Sequence, residues 1–358
     1  MHWSFGAIAL AVGIGAAALC GAWWLWWRLP KRQADRLSLK IRDAKGRADV
    51  EDNFRKTVGQ LLGGATVLVG AGFAYLQFSQ QQQASHELLI SNQVAKGFEQ
   101  LGSDKVVVRL GGIYALEGVM NTSEQYHQSV LEALCAFVRD STRIEIGDRP
   151  PATEIQAALT VIGRRRLVET ESVVVNLADA HIGKTDLIKA MLRYADLSRA
   201  GLSRTDLRYA NLRDAHLIGA KLINANLGYA DLSDAHLIGA NLSKADLSRA
   251  DLSRADLSRA NLLYANLSSA DLMDTNLSDA NLIGANLFNA NLSSTDLSRA
   301  DLRDANLRDA HLIGAKLINA NLGYADLSDA AISQTQLNEA CGTETKLPRG
   351  LNLKPCSP

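Results

Sequence analysis

The stretch Ala245–Leu262 reads ADLSRADLSRADLSRANL, and in it a leucine returns at every fifth residue. On an α-helix, residues five apart are rotated by about 140°, so these leucines would not share a face. On a flat strand, an odd spacing would send successive leucines to opposite faces. The leucines are buried together only if the backbone turns a corner once in every five residues. The sequence therefore predicts a coiled backbone with leucine inside.

The five-residue repeat runs without interruption from Leu177 to Leu337, and its central positions hold 31 Leu together with Ile182 and Ile332. The position two before each centre holds 27 Ala, five Thr and Val175, all of them small. We predict that this small residue also points inward and that the other three residues of each repeat point outward. Each buried leucine contributes about 1.5–3 kcal/mol before entropy is subtracted, so the core needs no cofactor.

The pattern A-[DN]-L-x-x resembles that of the pentapeptide-repeat family, and this resemblance covers nearly half of the chain. It implies an all-β fold, a right-handed quadrilateral β-helix with four repeats in each coil, over residues 173–340. The number of faces comes from the resemblance, since a period of five alone allows other numbers. A solenoid of this kind grows by adding units that contact only their neighbours.

An internal duplication is visible within the repeats. Residues 206–235 and 301–330 match at every position except one, where Tyr209 corresponds to Asp304. The copies are offset by 95 residues, or 19 repeats, which is not a whole number of four-sided coils. We therefore expect the two copies to face different sides of the rod, which argues against one duplicated binding surface.

Two apolar runs predict a membrane anchor over residues 1–83. The first, residues 5–27, has no charge, ends in WWLWW and is followed by a basic loop at 28–57; it is long enough to span a bilayer with an aromatic belt. A cleaved signal peptide is the alternative, but MHWSF lacks Lys and Arg and no small-residue cleavage site follows. The second run, residues 58–78, is glycine-rich and predicts a second span.

Small residues recur at every fourth position in both runs. This spacing lets membrane helices approach closely and predicts a homo-oligomer; the alternative is that glycine is simply common in membrane helices. The residues concerned are Ala9, Gly13, Ala17, Gly21, Gly59 and Gly63.

Charge near the spans predicts their orientation. Residues 28–56 carry ten Lys and Arg against five Asp and Glu, whereas residues 79–103 carry one Lys and no Arg. Because positive charge marks the cytoplasmic side, two spans place the rod outside the bacterial inner membrane. If the second run instead enters the bilayer and returns, everything after the first span lies inside.

Residues 84–172 are predicted to form a small helical domain between the membrane and the rod. Apolar residues recur at spacings of three and four in SHELLISNQVAKGFEQLG, RLGGIYALEGVM and SVLEALCAFVRD, and Thr153 precedes EIQAALTVIGRRR as a helix cap would. These segments resemble the preface of bacterial membrane-anchored pentapeptide-repeat proteins, a resemblance that implies no activity. We expect this domain to cap the first coil, whose backbone edge would otherwise stay unpaired.

Residues 341–358 are predicted to be a C-terminal tail, because Pro348 and Pro355 prevent the repeat from continuing. Outside the cytoplasm, Cys341 and Cys356 would be able to form a disulfide that closes this tail; inside, they would remain thiols. Their spacing permits the bond without requiring it.

The sequence predicts no catalytic, cofactor-binding or metal-binding residue. It lacks GxxxxGK[ST], GxSxG, HExxH and a CxxC pair. In a four-sided coil, residues 20 apart are stacked, so His216 and His236 would be neighbours about 5 Å apart. A metal site needs more ligands than two exposed imidazoles, so we do not assign one.

Stacking also predicts columns of charge. Asp231, Asp251 and Asp271 would form an acidic column, which calcium could use. However, Arg249 and Arg254 lie beside Asp251 along the chain and favour charge compensation. A second column would alternate in sign, as a solvated wall does: Arg259, Asp279 and Arg299.

The repeat region holds 20 Asp and Glu against 16 Lys and Arg over residues 176–340. Some soluble members of the family bind DNA gyrase through an acidic rod shaped like DNA and protect the enzyme from quinolones. Duplex DNA carries one charge per about 1.7 Å, so this rod would be undercharged as a mimic. The whole chain has a net charge of zero, which disfavours binding of nucleic acid through a basic field.

We therefore predict a non-enzymatic, membrane-anchored scaffold that binds an unidentified protein partner through the walls of the rod. The alternative is a nucleic-acid mimic that binds DNA gyrase or another DNA-binding protein. The identity of the partner is not encoded in the turn residues, which follow no known recognition code.

Overall fold

The computed structural model of this 358-residue protein describes residues 17–18, 20–29, 31–32, 35–36, 44–144, 149–166 and 174–356. The chain divides into two compact units, Met1–Leu89 and Ile90–Pro358, each of which is described by itself. The helices of the described part are α1 (Ala44–Leu101), α2 (Val106–Thr122), α3 (Glu124–Ser141), α4 (Thr153–Arg164) and α5 (Gln334–Leu337).

Most of the first predicted span, residues 5–27, lies outside the described residues, which are helical at 20–29. Among the described helices, α1 is long and apolar enough to cross a membrane, by length and composition alone, and its most apolar stretch is unburied. The second predicted span, 58–78, lies inside α1, which begins within the predicted basic loop. The two-span anchor stays a prediction.

Tryptophan side chains contact basic residues in the first unit. The Trp27 ring has the Lys31 ammonium 4.7 Å from its centroid and the Arg55 guanidinium 5.5 Å away. A Cβ on Gly59 would lie 3.6 Å from the Trp26 ring nitrogen, whereas Gly63 has no such neighbour. Ala9 and Gly13 lie outside the described residues, so a helix contact through small residues stays a prediction.

In the second unit, the end of α1 packs closely on α2. A Cβ on Gly97 would lie 2.7 Å from the Leu116 side chain, and one on Gly112 would lie 2.9 Å from the Gly97 carbonyl oxygen. Only glycine permits this approach. Arg109 of α2 forms an ion pair with Glu154 of α4, which joins the two helices.

The predicted cap at Thr153 is wrong. Ala152 is the N-cap of α4, and its carbonyl oxygen accepts hydrogen bonds from the amides of Ile155 and Gln156 at 3.0 and 3.2 Å. Ala152 follows two prolines and has an extended backbone, with φ −61° and ψ 151°, so the helix starts one residue earlier than the prediction. The predicted cation at the end of this helix is present as Arg164.

The rod closes one coil in every 20 residues. Parallel bridges join Asn176 to Asp196 and continue in this register up to the pair Asp326 and Lys346. Four repeats therefore make one coil, as the family resemblance implied. We number the four walls by their first bridge residues: Asn176 for wall 1, His181 for wall 2, Asp186 for wall 3 and Met191 for wall 4.

The description of the rod as all-β is corrected by its secondary structure. In the part of the chain that the structure describes, the rod contains isolated bridges and turns but no extended strand. Four of the five residues of each repeat form a turn, as Leu177 to Ala180 do, so one residue per wall is left to bridge neighbouring coils. The ladder is nevertheless regular: the Leu177 amide donates to the Asp196 carbonyl at 2.8 Å, and the Asp196 amide donates to the Val175 carbonyl at 2.9 Å.

The corners of the rod up to Asp329 are β-turns with a left-handed residue, and α5 replaces the next one. In the first, the Ala180 amide donates to the Leu177 carbonyl at 3.2 Å, and Asp179 has φ 59°. Every fifth residue from Asp179 to Asp329 has positive φ, and glycine fills only four of these positions. Positive φ at the third residue is the signature of a type II turn.

Up to Ala330 the core contains the leucine or isoleucine and the small residue of each repeat, as predicted, whereas Ile332 is half-buried and Thr335 is exposed. At two of the positions where threonine replaces alanine, the hydroxyl donates to a carbonyl of the coil below, from Thr275 to Leu252 and from Thr295 to Leu272, both at 2.7 Å. The prediction that the remaining three residues all point outward is too simple. Ser253 is only 6% exposed, and Ser233 and Ser298 are also buried.

Candidate functional surfaces: the ends and walls of the rod

The first coil presents backbone groups that no lower coil can bind, and α4 binds them on two walls. The Gln156 side chain accepts from the Asp186 amide at 2.9 Å and donates to the Asp186 carbonyl at 2.8 Å, as a backbone would. The Met191 amide donates to the Gly163 carbonyl at 2.8 Å, and Arg165 donates to the Met191 carbonyl. On these walls both backbone groups of the bridge residue are satisfied.

The helix α3 and the turn after it supply partners for the other two walls. Arg139 donates to the Asn176 carbonyl at 3.3 Å, and the His181 amide donates to the Thr142 carbonyl at 3.3 Å. The edge that an open β-helix would expose is therefore covered by the helical region on every wall.

The C-terminal tail covers the other end of the rod. Cys341 and Cys356 form a disulfide, and the Gly342 amide donates to the Lys354 carbonyl at 2.9 Å. Apolar residues of the tail pack against the end of the core: Leu347, Leu351 and Leu353. Both ends are thus occupied by the protein itself, so the walls are the surface left for other molecules.

Charges on the walls are compensated both between coils and along the chain, as the pair of Arg208 with Asp206 in one repeat shows. Arg254 binds Asp234, 20 residues earlier, through two nitrogens at 2.7 Å, instead of the predicted Asp251. The predicted Asp279 and Arg299 pair is present at 2.6 Å. Hydrogen bonding to these arginines lowers the pKa of the Asp234 and Asp279 carboxyls.

The other predicted compensating residue, Arg249, has a different contact. Its guanidinium lies 5.4 Å from the centroid of the Tyr229 ring and donates to the Tyr229 hydroxyl. The Tyr229 ring stacks on Tyr209 with centroids 5.0 Å apart. Arginine and aromatic side chains therefore cover one another on wall 3.

The carboxylates of the predicted acidic column form hydrogen bonds within the turns. Each carboxylate accepts a hydrogen bond from the amide two residues later: Asp231 from Ser233 at 3.0 Å, Asp251 from Ser253 at 2.9 Å, and Asp271 from Met273 at 3.1 Å. Sequence reasoning missed this role, although the restriction of the position to Asp and Asn in most repeats signals it, since both residues form Asx-turns.

His216 and His236 are neighbours, as predicted, with ring centroids 5.1 Å apart and both side chains exposed. Within the described ranges, no group of three or more His, Cys, Asp and Glu side chains is arranged to hold a metal ion. The prediction of no metal site stands as a prediction.

The described part of the chain contains one disulfide and two free thiols. Cys20 is exposed, and Cys135 is buried in α3, where burial raises the pKa of its thiol to about 11. A thiol with so high a pKa is almost entirely protonated near neutral pH and is a poor nucleophile.

Comparison of the sequence with protein families finds one match. A family model described as pentapeptide repeats fits eight copies, over residues 175–208, 200–239, 235–273, 265–304 and 305–341. No curated protein matches the chain.

Solved structures of several repeat proteins are similar to this chain. HetL, a pentapeptide repeat protein involved in heterocyst differentiation regulation in the cyanobacterium Nostoc, is 34% identical; the match covers 50% of this chain and 85% of HetL, with a TM-score of 0.21. A pentapeptide repeat protein from the Arabidopsis thaliana thylakoid lumen is 34% identical over 30% of this chain and 66% of its own, with a TM-score of 0.23. QnrB1, a plasmid-mediated fluoroquinolone resistance protein, is 18% identical over 44% of this chain and 86% of its own, with a TM-score of 0.29.

Proposed function

Because this chain belongs to the pentapeptide-repeat family, we propose that it is a non-enzymatic scaffold whose rod walls bind another protein. One observation carries the proposal: the helical region and the tail bind the two ends of the rod, so four regular walls are left exposed. A scaffold needs a rigid surface with fixed side chains, and the ladder of backbone hydrogen bonds supplies it.

The proposal of no enzymatic activity is supported by the roles of the polar side chains. The carboxylates of the acidic column accept hydrogen bonds from turn amides, and several others bind arginine in the next coil. The comparisons indicate no enzyme family. A specific hydrolytic or transferase activity in the purified protein would overturn this part of the proposal.

The alternative, a mimic of nucleic acid that binds DNA gyrase or another DNA-binding protein, fits the charges less well. Ion pairs such as Asp179 with Arg199 and Asp279 with Arg299 neutralise carboxylates that a mimic would present to a basic partner. Crosslinking in membranes followed by purification of the adducts tests both ideas. Recovery of DNA gyrase alone would favour the mimic over the scaffold.

We further propose that the protein is anchored in the bacterial inner membrane and that the rod lies outside the cytoplasm. The charge bias of residues 28–56 and the apolar helix α1 support the anchor, and the Cys341–Cys356 disulfide supports an oxidising compartment. Alkaline phosphatase and a fluorescent protein, each fused after Pro358, test the orientation. Strong phosphatase activity is expected; an inactive phosphatase with bright cytoplasmic fluorescence would overturn it.

A further inference from the structure

Walls 2 and 3 lose their charges in the middle of the rod. Residues 260–269 and 280–289 contain no Asp, Glu, Lys, Arg or His. Parallel bridges between residues 20 apart stack these two segments one above the other. Charges return in the neighbouring coils, at Lys244 below and Asp304 above. We call the surface formed by these two segments the neutral window.

Two aromatic side chains dominate the neutral window. Tyr264 is 58% exposed and Phe288 is 40% exposed, and the half-buried Leu263 and Ile283 lie beside them in the same two coils. The Tyr264 ring lies over Gly284, where a Cβ would be 2.4 Å from a ring carbon. Glycine at this corner therefore lets the ring cover the next coil.

The Tyr264 hydroxyl differs from the hydroxyls of two other tyrosines on the rod, Tyr194 and Tyr229. Tyr229 accepts a hydrogen bond from Arg249, and Tyr194 accepts one from Arg193. Among the described residues, no hydrogen bond is made by the Tyr264 hydroxyl. Tyrosine is one of the side chains enriched at the energetic centres of protein interfaces.

Polar residues around the aromatic side chains are uncharged and bind one another. The Asn281 side chain donates to Asn261 at 3.3 Å, and the Asn286 side chain donates to Asn266 at 3.1 Å. These contacts fix the amides along the wall. An apolar centre with a polar, uncharged surround has the anatomy of a protein–protein contact.

We propose that the neutral window is the docking site of the scaffold and that it binds a short, uncharged, apolar segment of a partner protein. The inference rests on the proposed scaffold function. A charged segment would find no opposite charge within the window and would lose hydration on binding. Charge complementarity therefore favours a neutral segment with one or two apolar side chains.

The neutral window alone is too small for a stable contact between two rods. Two coils span roughly 10 Å along the rod, and two walls of about three residues each span roughly 20 Å across it. The resulting area, on the order of 200 Å², is far below the ~800 Å² per partner of a stable interface. It suits an extended segment of a few residues.

The test is a benzophenone photo-crosslinking amino acid placed at position 264 in the full chain, in membranes of the native host. Position 324 is the matched control, since Tyr324 occupies the same corner of wall 2, is 60% exposed and has Asp304 and Glu344 in its column. We expect an adduct with another protein at 264 and at least tenfold less at 324.

A second comparison uses charge. Phe288→Asp places a carboxylate in the window, whereas Met273→Asp places one on wall 4, at a residue 38% exposed. We expect the first substitution to reduce the adduct at 264 at least tenfold and the second to leave it unchanged, with equal melting temperatures. Equal effects of the two substitutions would overturn the site.

The remaining outcomes separate this inference from the proposed function. An adduct with another protein at 324 but not at 264 overturns the window while the scaffold function holds. An adduct consisting of two copies of this chain overturns the proposed occupant. The absence of adducts at both positions overturns the window, whereas the scaffold function is tested separately by crosslinking in membranes.

Discussion

At each corner of the rod, the residue that turns the chain adopts a left-handed conformation which L-amino acids rarely use. Arginine, tyrosine and lysine occupy these corners with φ of 55–61°, at a cost of about 1–2 kcal/mol each relative to glycine. The repeat accepts this cost because the same corner buries a leucine and closes backbone hydrogen bonds to both neighbouring coils.

The same substitution is expected to destabilise the protein strongly at an inward position of a repeat and only slightly at an outward position. Leu292→Asp places a carboxylate at a side chain that is fully buried and should cost about 3–5 kcal/mol. Ser294→Asp lies two residues later, exposed and with φ 59°, a conformation that Asp tolerates, so little change is expected. Urea unfolding of both variants provides the measurement, and equal midpoints would contradict the assignment of the two positions.

Two corner glycines predict unequal effects of one added methyl group. Gly239 and Gly284 share φ 63°, so alanine at either should cost about 1 kcal/mol through its backbone. At Gly284 the new Cβ would also meet the Tyr264 ring, whereas Gly239 has no neighbour within 4 Å. Unfolding midpoints should therefore fall further for Gly284→Ala, and Tyr264→Ala should remove the difference. A larger loss at Gly239 would show that the ring contact is not the cause.

At the scale of the elements, the helical region is tied together and to the rod by side chains that lie far apart in sequence. Arg109 of α2 binds Glu154 of α4, and Arg164 binds Glu117 through two hydrogen bonds at 2.7 and 2.8 Å. The Gln156 side chain, one helical position from Ile155 in the core, binds the first coil. One short helix thus contacts both α2 and the rod.

Stability should depend on pH through Glu154. Burial raises the pKa of this carboxyl, but hydrogen bonding and charge attraction from Arg109 more than offset it, so its pKa is lowered. The resulting stability is fully present above the unfolded-state pKa of about 4.3 and is lost as pH falls through the lower folded value. Thermal unfolding between pH 3 and 7 should show a smaller loss for Glu154→Gln than for the wild type.

The control for this prediction is Glu132→Gln, a substitution of an exposed carboxylate on α3. It should keep the pH dependence of the wild type. If Glu154→Gln and the wild type lose the same free energy of unfolding between pH 5 and 3, the Arg109 contact does not lower the pKa of Glu154.

The parts of the structure that follow the five-residue repeat were predictable from the sequence. The parts that depend on single contacts between residues far apart in the chain were not. A leucine every five residues required an inward turn, so the core from Leu177 to Leu337 followed directly. The partner of Arg254 was misassigned because only its neighbour along the chain, Asp251, was considered, although the stacking of residues 20 apart also brings Asp234 beside it. The pairing of Gln156 with Asp186 was not predictable, because one side chain there makes the two backbone hydrogen bonds that a preceding coil would make. A single contact of this kind has no repeating pattern in the sequence.

At the scale of the whole rod, the disulfide between Cys341 and Cys356 closes a loop of 15 residues over the last coil. Such a loop stabilises the folded state by about 3 kcal/mol in the chain-entropy account. The tail also covers the end of the core with Leu347, Leu351 and Leu353. Stability at this end therefore depends on a covalent bond, whereas the other end depends on the helical region.

Reduction should lower the stability of the full chain by about that amount. In detergent, thermal unfolding followed by circular dichroism should shift to lower temperature on addition of dithiothreitol, and the double variant Cys341→Ser, Cys356→Ser should unfold at the reduced value with no response to the reagent. A double variant as stable as the oxidised wild type would show that the tail holds without its bond.

Because four repeats make one full coil, the number of repeats between two residues sets the angle between them around the rod axis. The duplicated segments illustrate this: His216 bridges to His236 on wall 1, whereas its counterpart His311 bridges to Asn291 on wall 4. Inserting one repeat would raise everything beyond it by only about 1.2 Å, a quarter of the ~4.8 Å spacing between coils, but would turn it through a quarter of a circle. The gain or loss of a single pentapeptide therefore changes the direction in which all the following walls face. In the course of evolution, a docking surface could thus be turned around the rod axis without a change in any of its residues.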